Sequence, residues 1–134
     1  MNEVIQTDVD ELRENYTVDV DDDPDDPKPQ KFTHVIVRDK SVPSDAYNKD
    51  TTDVLLRVPD DYPNEPLDWV YVDKDLRLES GGKPKKHNTD RVPGWLALSY
   101  HPKKLKDDFE WQPYEHTLKW YLETVVEMRL RQGD

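Results

Sequence analysis

Apolar and polar residues alternate most clearly at Val54, Leu56 and Val58, which interleave with Leu55 and Arg57. That period of two predicts a strand with one face on a core. The alternation then stops at Pro59, Pro63 and Pro66, three prolines within eight residues. Proline has no amide hydrogen for a sheet ladder, so this stretch is expected to be a stiff, irregular connection over the surface. Trp69, Val70, Tyr71 and Val72 resume as a second strand. Residues 32–38, FTHVIVR, are rich in β-branched and aromatic side chains and predict another. A loop of about fifteen residues between these segments favours antiparallel neighbours in a meander over a parallel crossover.

The helical period appears at both ends of the chain. Val9, Leu12 and Tyr16 recur at spacings of three and four behind Thr7 and Asp10, a capping-box variant, which predicts a short amphipathic helix over 7–16. Residues 17–20, TVDV, are able to begin a strand. Leu76 and Leu78 add a short alternation, and residues 80–91, SGGKPKKHNTDR, read as an exposed loop. Residues 94–101, GWLALSYH, form an apolar island with Lys83, Lys85 and Lys86 before it and Lys103, Lys104 and Lys106 after it. Trp111 and Pro113 mark the start of a final helix, from about Glu115 to Arg131. Leu118, Tyr121, Leu122, Val125 and Met128 are expected on its buried face, with Arg129 and Arg131 complementing its carboxyl end. The elements sum to one α+β domain over 1–134, with helices on one side of an antiparallel meander of three to four strands.

Composition narrows this picture. Only 34% of the 134 residues are hydrophobic and 37% are charged, so the core must be small and concentrated in those elements. The net charge of −11 is uneven: residues 1–30 hold 11 acidic and 2 basic side chains, and the remainder is nearly balanced. An acidic end argues against nucleic acid and anionic membranes as partners. The acidic, proline-rich loop at 21–30 contains DDDPDDPKP, where like charges repel, and is expected not to pack, so its deletion is expected to leave folding intact. Cysteine is absent, which excludes thiol nucleophiles, thiolate metal sites and disulfides. There is no long apolar run and no secretory pattern at the amino end, which leads to the expectation of a cytoplasmic protein. His34, His87, His101 and His116 fall at no metal-site spacing, and no phosphate-binding glycine motif occurs, so neither metal nor cofactor is expected.

The order of motifs adds a resemblance. A strand, Tyr62-Pro63-x-x-Pro66, a strand, a loop, Gly94-Trp95-Leu96-Ala97-Leu98 and then Trp111-x-Pro113 before a helix resembles the ubiquitin-conjugating (UBC-like) superfamily. It is most similar to a bacterial branch, prokaryotic family E, in which a Trp…Ser-x-His segment, here Trp95, Ser99 and His101, precedes the Trp-x-Pro motif. The resemblance covers roughly residues 32–131. It implies a UBC-like fold and a role in bacterial ubiquitin-like modification, with a ubiquitin-like protein, an activating enzyme and a deubiquitinase-type peptidase as partners. Two features depart from the superfamily's pattern. Its His-Pro-Asn segment is missing, His87-Asn88 being the nearest counterpart, and Ala97 stands where the nucleophilic cysteine would align.

Two functions suit a UBC-like domain without cysteine. In one, a hydroxyl carries the ubiquitin-like carboxyl terminus as an oxyester. Ser99 is the candidate nucleophile and His101 the candidate base, since a serine hydroxyl needs a positioned base and residues i and i+2 of a strand share a face. In the other, the domain is an inactive binding module in which Trp95, Tyr100 and the lysine-rich loops contact a ubiquitin-like protein or its activating enzyme.

Overall fold

The period-two segments pair in a single six-stranded antiparallel sheet. The computed structural model describes residues 2–22, 24, 26–27, 31–43, 45–84, 86–99 and 110–132. Helix α1 (Glu3–Arg13) is followed by β1 (Thr17–Asp21), β2 (Phe32–Ser41), β3 (Thr51–Pro59), β4 (Val70–Asp73), β5 (His87–Asn88) and β6 (Trp95–Leu98). The chain closes with helix α2, residues 118–132. Strand order is β1-β2-β3-β4-β6-β5, so the first four strands form the expected meander. The count exceeds the expected three to four because TVDV, the apolar island and the two-residue β5 all pair. An element as short as β5 has no periodicity to read.

Alternation sorts the side chains onto two faces. Val35, Val37, Val54, Leu56, Val58, Val70, Val72, Leu96 and Leu98 face both helices and form the main core with Ile5, Val9, Leu12, Leu118 and Leu122. Among the described residues the opposite face carries no helix, and it has a smaller cluster of Leu55, Tyr71, Val92 and Ala97, bordered by Ile36, Trp69 and Trp95. Pairing aligns Ile36, Leu55, Tyr71, Ala97 and Asn88 in one row across five strands.

Two boundaries differ from expectation. Helix α1 begins at Glu3 because Asn2, a stronger cap than threonine, accepts from the Ile5 amide at 2.8 Å. Thr7 lies inside the helix, with its hydroxyl donating to the Glu3 carbonyl. Helix α2 begins at Leu118 behind Thr117, whose hydroxyl accepts from the Trp120 amide. Its segment Tyr121–Val126 is π-helical, between α-helical Leu118–Trp120 and Glu127–Gln132. The wider π turn delays the helix phase. Val126, Arg129 and Leu130 are therefore buried, while Met128, expected on the apolar face, is exposed.

The acidic segment also departs from expectation, because part of it packs. Asp26 lies on the helix-free face, with a carboxylate oxygen 2.8 Å from His34 Nε2 and a bidentate pairing with the Arg57 guanidinium. The Asp26 and Arg57 side chains are 4% and 5% exposed. Two strand residues facing the same way, His34 and Arg57, are register partners and supply the complement. Burial alone lowers the affinity of Arg57 for its proton, but its bonds to Asp26 and Tyr71 outweigh this and hold it above the ordinary arginine value.

A second ion pair joins sheet to helix. Lys40 donates to Glu127 at 2.8 Å, and Arg131 reaches the same carboxylate. Burial would raise the Glu127 carboxyl, but Lys40 and then Arg131 hold it below the ordinary glutamate value. A depressed carboxylate contributes stability above its unfolded pKa and loses it as pH falls through the folded value. Lys40→Gln is therefore expected to cost about 1 kcal/mol at neutral pH and progressively less below about pH 4.3, as measured by urea unfolding across pH.

Candidate functional site

Two of the motifs that carry the resemblance, the proline-rich connection and the Trp-x-Pro segment, meet in space. The connection from Pro59 to Val70 joins β3 to its antiparallel neighbour β4, and the Tyr62-Pro63 peptide bond is cis. Trp111 lies against it: its indole N–H donates to the Pro63 carbonyl at 2.6 Å, and its ring lies 6.2 Å from Tyr62 and 6.0 Å from Trp120. His116 completes this aromatic group, 4.3 Å from the Trp120 ring, and its Nδ1 accepts from the Gln112 amide. Beneath the group, Tyr62 donates to the buried carboxylate of Asp8 on α1 at 2.5 Å, and the Leu118 amide at the start of α2 bonds the same oxygen at 3.3 Å. Burial first, and then that carboxylate, push the Tyr62 hydroxyl far above the ordinary tyrosine range, so it remains a donor.

The candidate nucleophile segment is β6 and the residue after it. Ala97, which the resemblance sets against the superfamily's cysteine, is 0% exposed and sits in the row between Tyr71 and Asn88. Asn88, the nearest counterpart of the superfamily's asparagine, thus stands directly opposite Ala97, nine positions back in sequence. Its side-chain oxygen accepts from the Asp90 amide at 2.7 Å.

Ser99 lies just past β6 and is half-buried. Its amide donates to the Lys86 carbonyl at 2.9 Å, and its carbonyl accepts from Arg129 Nε at 3.2 Å. Its main chain is therefore fixed from both β5's side and α2. Among the described residues, no side chain is hydrogen-bonded to its hydroxyl. His101, the candidate base, and Tyr100 lie outside the described residues, as do Lys85 and Lys103 to Lys106. Of the described imidazoles, His34 is held by Asp26, His116 by the aromatic group, and His87 Nδ1 lies 2.9 Å from the Pro84 carbonyl.

Sequence reasoning missed Arg129, read as a surface partner of the helix dipole. It is buried at 3% exposure and holds the Ser99 carbonyl. Only the π-helical turn brings it inward, and no residue pattern announces that turn. Trp95, an interface residue on the binding-module alternative, and Trp69 are half-buried on the helix-free face. Among the described residues no group of three histidine, aspartate or glutamate side chains is placed to hold a metal, and no helix is long and apolar enough to cross a membrane.

Fold and site together define an α+β domain with a proline-bridged antiparallel meander, a tryptophan-anchored closing helix and no thiol anywhere in the chain. Over residues 7–131 the sequence matches the family model described as prokaryotic E2 family E, and the chain belongs to that family. Comparison with curated proteins and with solved structures finds no match.

Proposed function

We propose that this protein is the conjugating-enzyme-like component of a bacterial ubiquitin-like modification pathway and carries the ubiquitin-like carboxyl terminus as an oxyester on Ser99. The observation that carries this reading is the contrast between two neighbouring positions. Ala97 is sealed and has no nucleophile, whereas Ser99 is half-buried and its backbone is held on both sides. In the reaction the Ser99 oxygen attacks the activated carboxyl carbon presented by the activating enzyme. A carbon–oxygen bond forms, the adenylate or thiolate leaves, and the hydroxyl proton passes to a base, for which His101 is the candidate. A target amine then displaces the serine oxygen, which recovers a proton. Partners on this reading are the ubiquitin-like protein, its activating enzyme and a deubiquitinase-type peptidase.

One observation favours the alternative of an inactive binding module. Among the described residues the Ser99 hydroxyl has no side-chain partner. On that reading the domain docks the ubiquitin-like protein or its activating enzyme without forming a covalent bond.

Incubation with the cognate ubiquitin-like protein, activating enzyme and ATP separates the two. The carrier reading expects an adduct that survives thiol reductant, is cleaved by hydroxylamine or mild base, and disappears in Ser99→Ala. An adduct persisting in Ser99→Ala removes Ser99 as the carrier, and complex formation without any adduct supports the binding module.

A further inference from the structure

On the helix-free face, the proline-rich connection walls a cavity of about 110 Å³. Arg57 and Tyr71 rise from the sheet floor, Arg91 closes one side, and Pro66, Glu65 and Asp68 belong to the connection. Both guanidinium groups are held by stacking: Arg57 lies 4.2 Å over the Phe32 ring and Arg91 4.1 Å over the Trp69 ring. Trp69 itself adopts a left-handed backbone, φ 62°, that a bulky side chain rarely takes.

We propose that this cavity is a carboxylate-binding site, taking an acidic side chain or the carboxyl terminus of a peptide. The convergence of donors is the argument. The Tyr71 oxygen accepts from Arg57 Nη1 at 3.3 Å and from Arg91 Nε at 3.4 Å, so the remaining capacity of that hydroxyl is its proton. Among the described residues no acceptor receives that proton, although Tyr71 is buried. Arg91 likewise has no carboxylate within ion-pair distance among the described residues, although Glu65 and Asp68 line the same cavity. A ligand that only accepts hydrogen bonds matches three donors: the Tyr71 hydroxyl and the two guanidinium groups. Glu65 and Asp68 on the wall oppose any anion, and they oppose a doubly charged phosphate more than a singly charged carboxylate. Volume agrees, since organic ligands and nucleotides usually occupy roughly 300–1,000 Å³. The chain itself provides a precedent on the adjoining side of Arg57, where Asp26 is drawn into a buried bidentate pair from a segment with few apolar residues.

The test is a titration of the whole protein with acetate, N-acetylglycine, N-acetyl-aspartate amide, inorganic phosphate and acetamide, followed by NMR at the arginine Nε–H and tryptophan indole resonances. Saturable binding of the carboxylates is expected, with Arg91 and Trp69 moving most and acetamide silent. Tighter binding of N-acetylglycine identifies a chain terminus as the natural ligand, and tighter binding of the aspartate amide identifies an acidic side chain. Arg91→Gln is expected to weaken binding about tenfold or more with an unchanged melting temperature, and Tyr71→Phe to weaken it less. Non-saturable shifts, equal binding by Arg91→Gln, binding of acetamide, or a preference for phosphate would each overturn the proposal. No covalent step enters this test, so its failure leaves the Ser99 carrier reading standing, and the reverse holds as well.

Discussion

Asp26→Ala is expected to destabilise the protein by about 3 kcal/mol, lowering the melting temperature by roughly 10 °C. The substitution leaves the Arg57 guanidinium buried without its counter-charge, and a buried charge that has lost its partner costs more than the pair contributes. Its side chain is only 5% exposed, so water does not compensate. The neighbouring Asp22 is exposed, and Asp22→Ala is the matched control, expected to change stability by less than about 0.5 kcal/mol. The double variant Asp26→Asn with Arg57→Met removes both charges and is expected to recover most of the loss. Calorimetry on the three variants decides the matter: equal melting temperatures for Asp26→Ala and Asp22→Ala would mean that the ion pair contributes nothing. This result is the opposite of what the run of aspartates suggests when read as sequence.

Asp8→Ala is expected to cost about 2 kcal/mol. One carboxylate serves two donors here, the Tyr62 hydroxyl and the Leu118 amide, so its removal unpins the connection and leaves the first amide of α2 without its acceptor. Tyr62→Phe removes only one of these bonds and is expected to cost less. In the Tyr62→Phe background, Asp8→Ala should cost less than it does alone, because the two side chains share one bond. Chemical denaturation of the four-member cycle measures that coupling, and strict additivity would show that Asp8 and Tyr62 act independently. The aromatic group around Trp111 should respond too, since Tyr62 forms one wall of it.

These two carboxylates also show where sequence reading ends. The alternation at Val54, Leu56 and Val58 and the β-branched run at 32–38 were legible because a strand with one covered face imposes a period of two on whatever residues fill it. The proline connection and the tryptophan before α2 were legible as motifs, and their meeting through Trp111 and Pro63 follows the order in which they occur. Asp26 was not legible, because local composition describes a segment's own tendency to pack and says nothing of a distant Arg57 and His34 waiting for a counter-charge. Met128 and Arg129 exchanged places for a similar reason: the phase of a helix depends on every turn before it, and a π-helical stretch leaves no mark in residue type. At the candidate site the burial of Ala97 was not legible, because it depends on Tyr71 on the adjoining strand and Leu55 one strand further away.

The interior position of Ala97 bears on how a thiol-free relative of these enzymes is to be understood. A thiol introduced by Ala97→Cys would be buried in the row between Tyr71 and Asn88, where no incoming acyl group has access. A single substitution at this position therefore does not create a working nucleophile, because the surrounding residues close it off from solvent. A reactive group on this domain has to stand where solvent reaches, as half-buried Ser99 does.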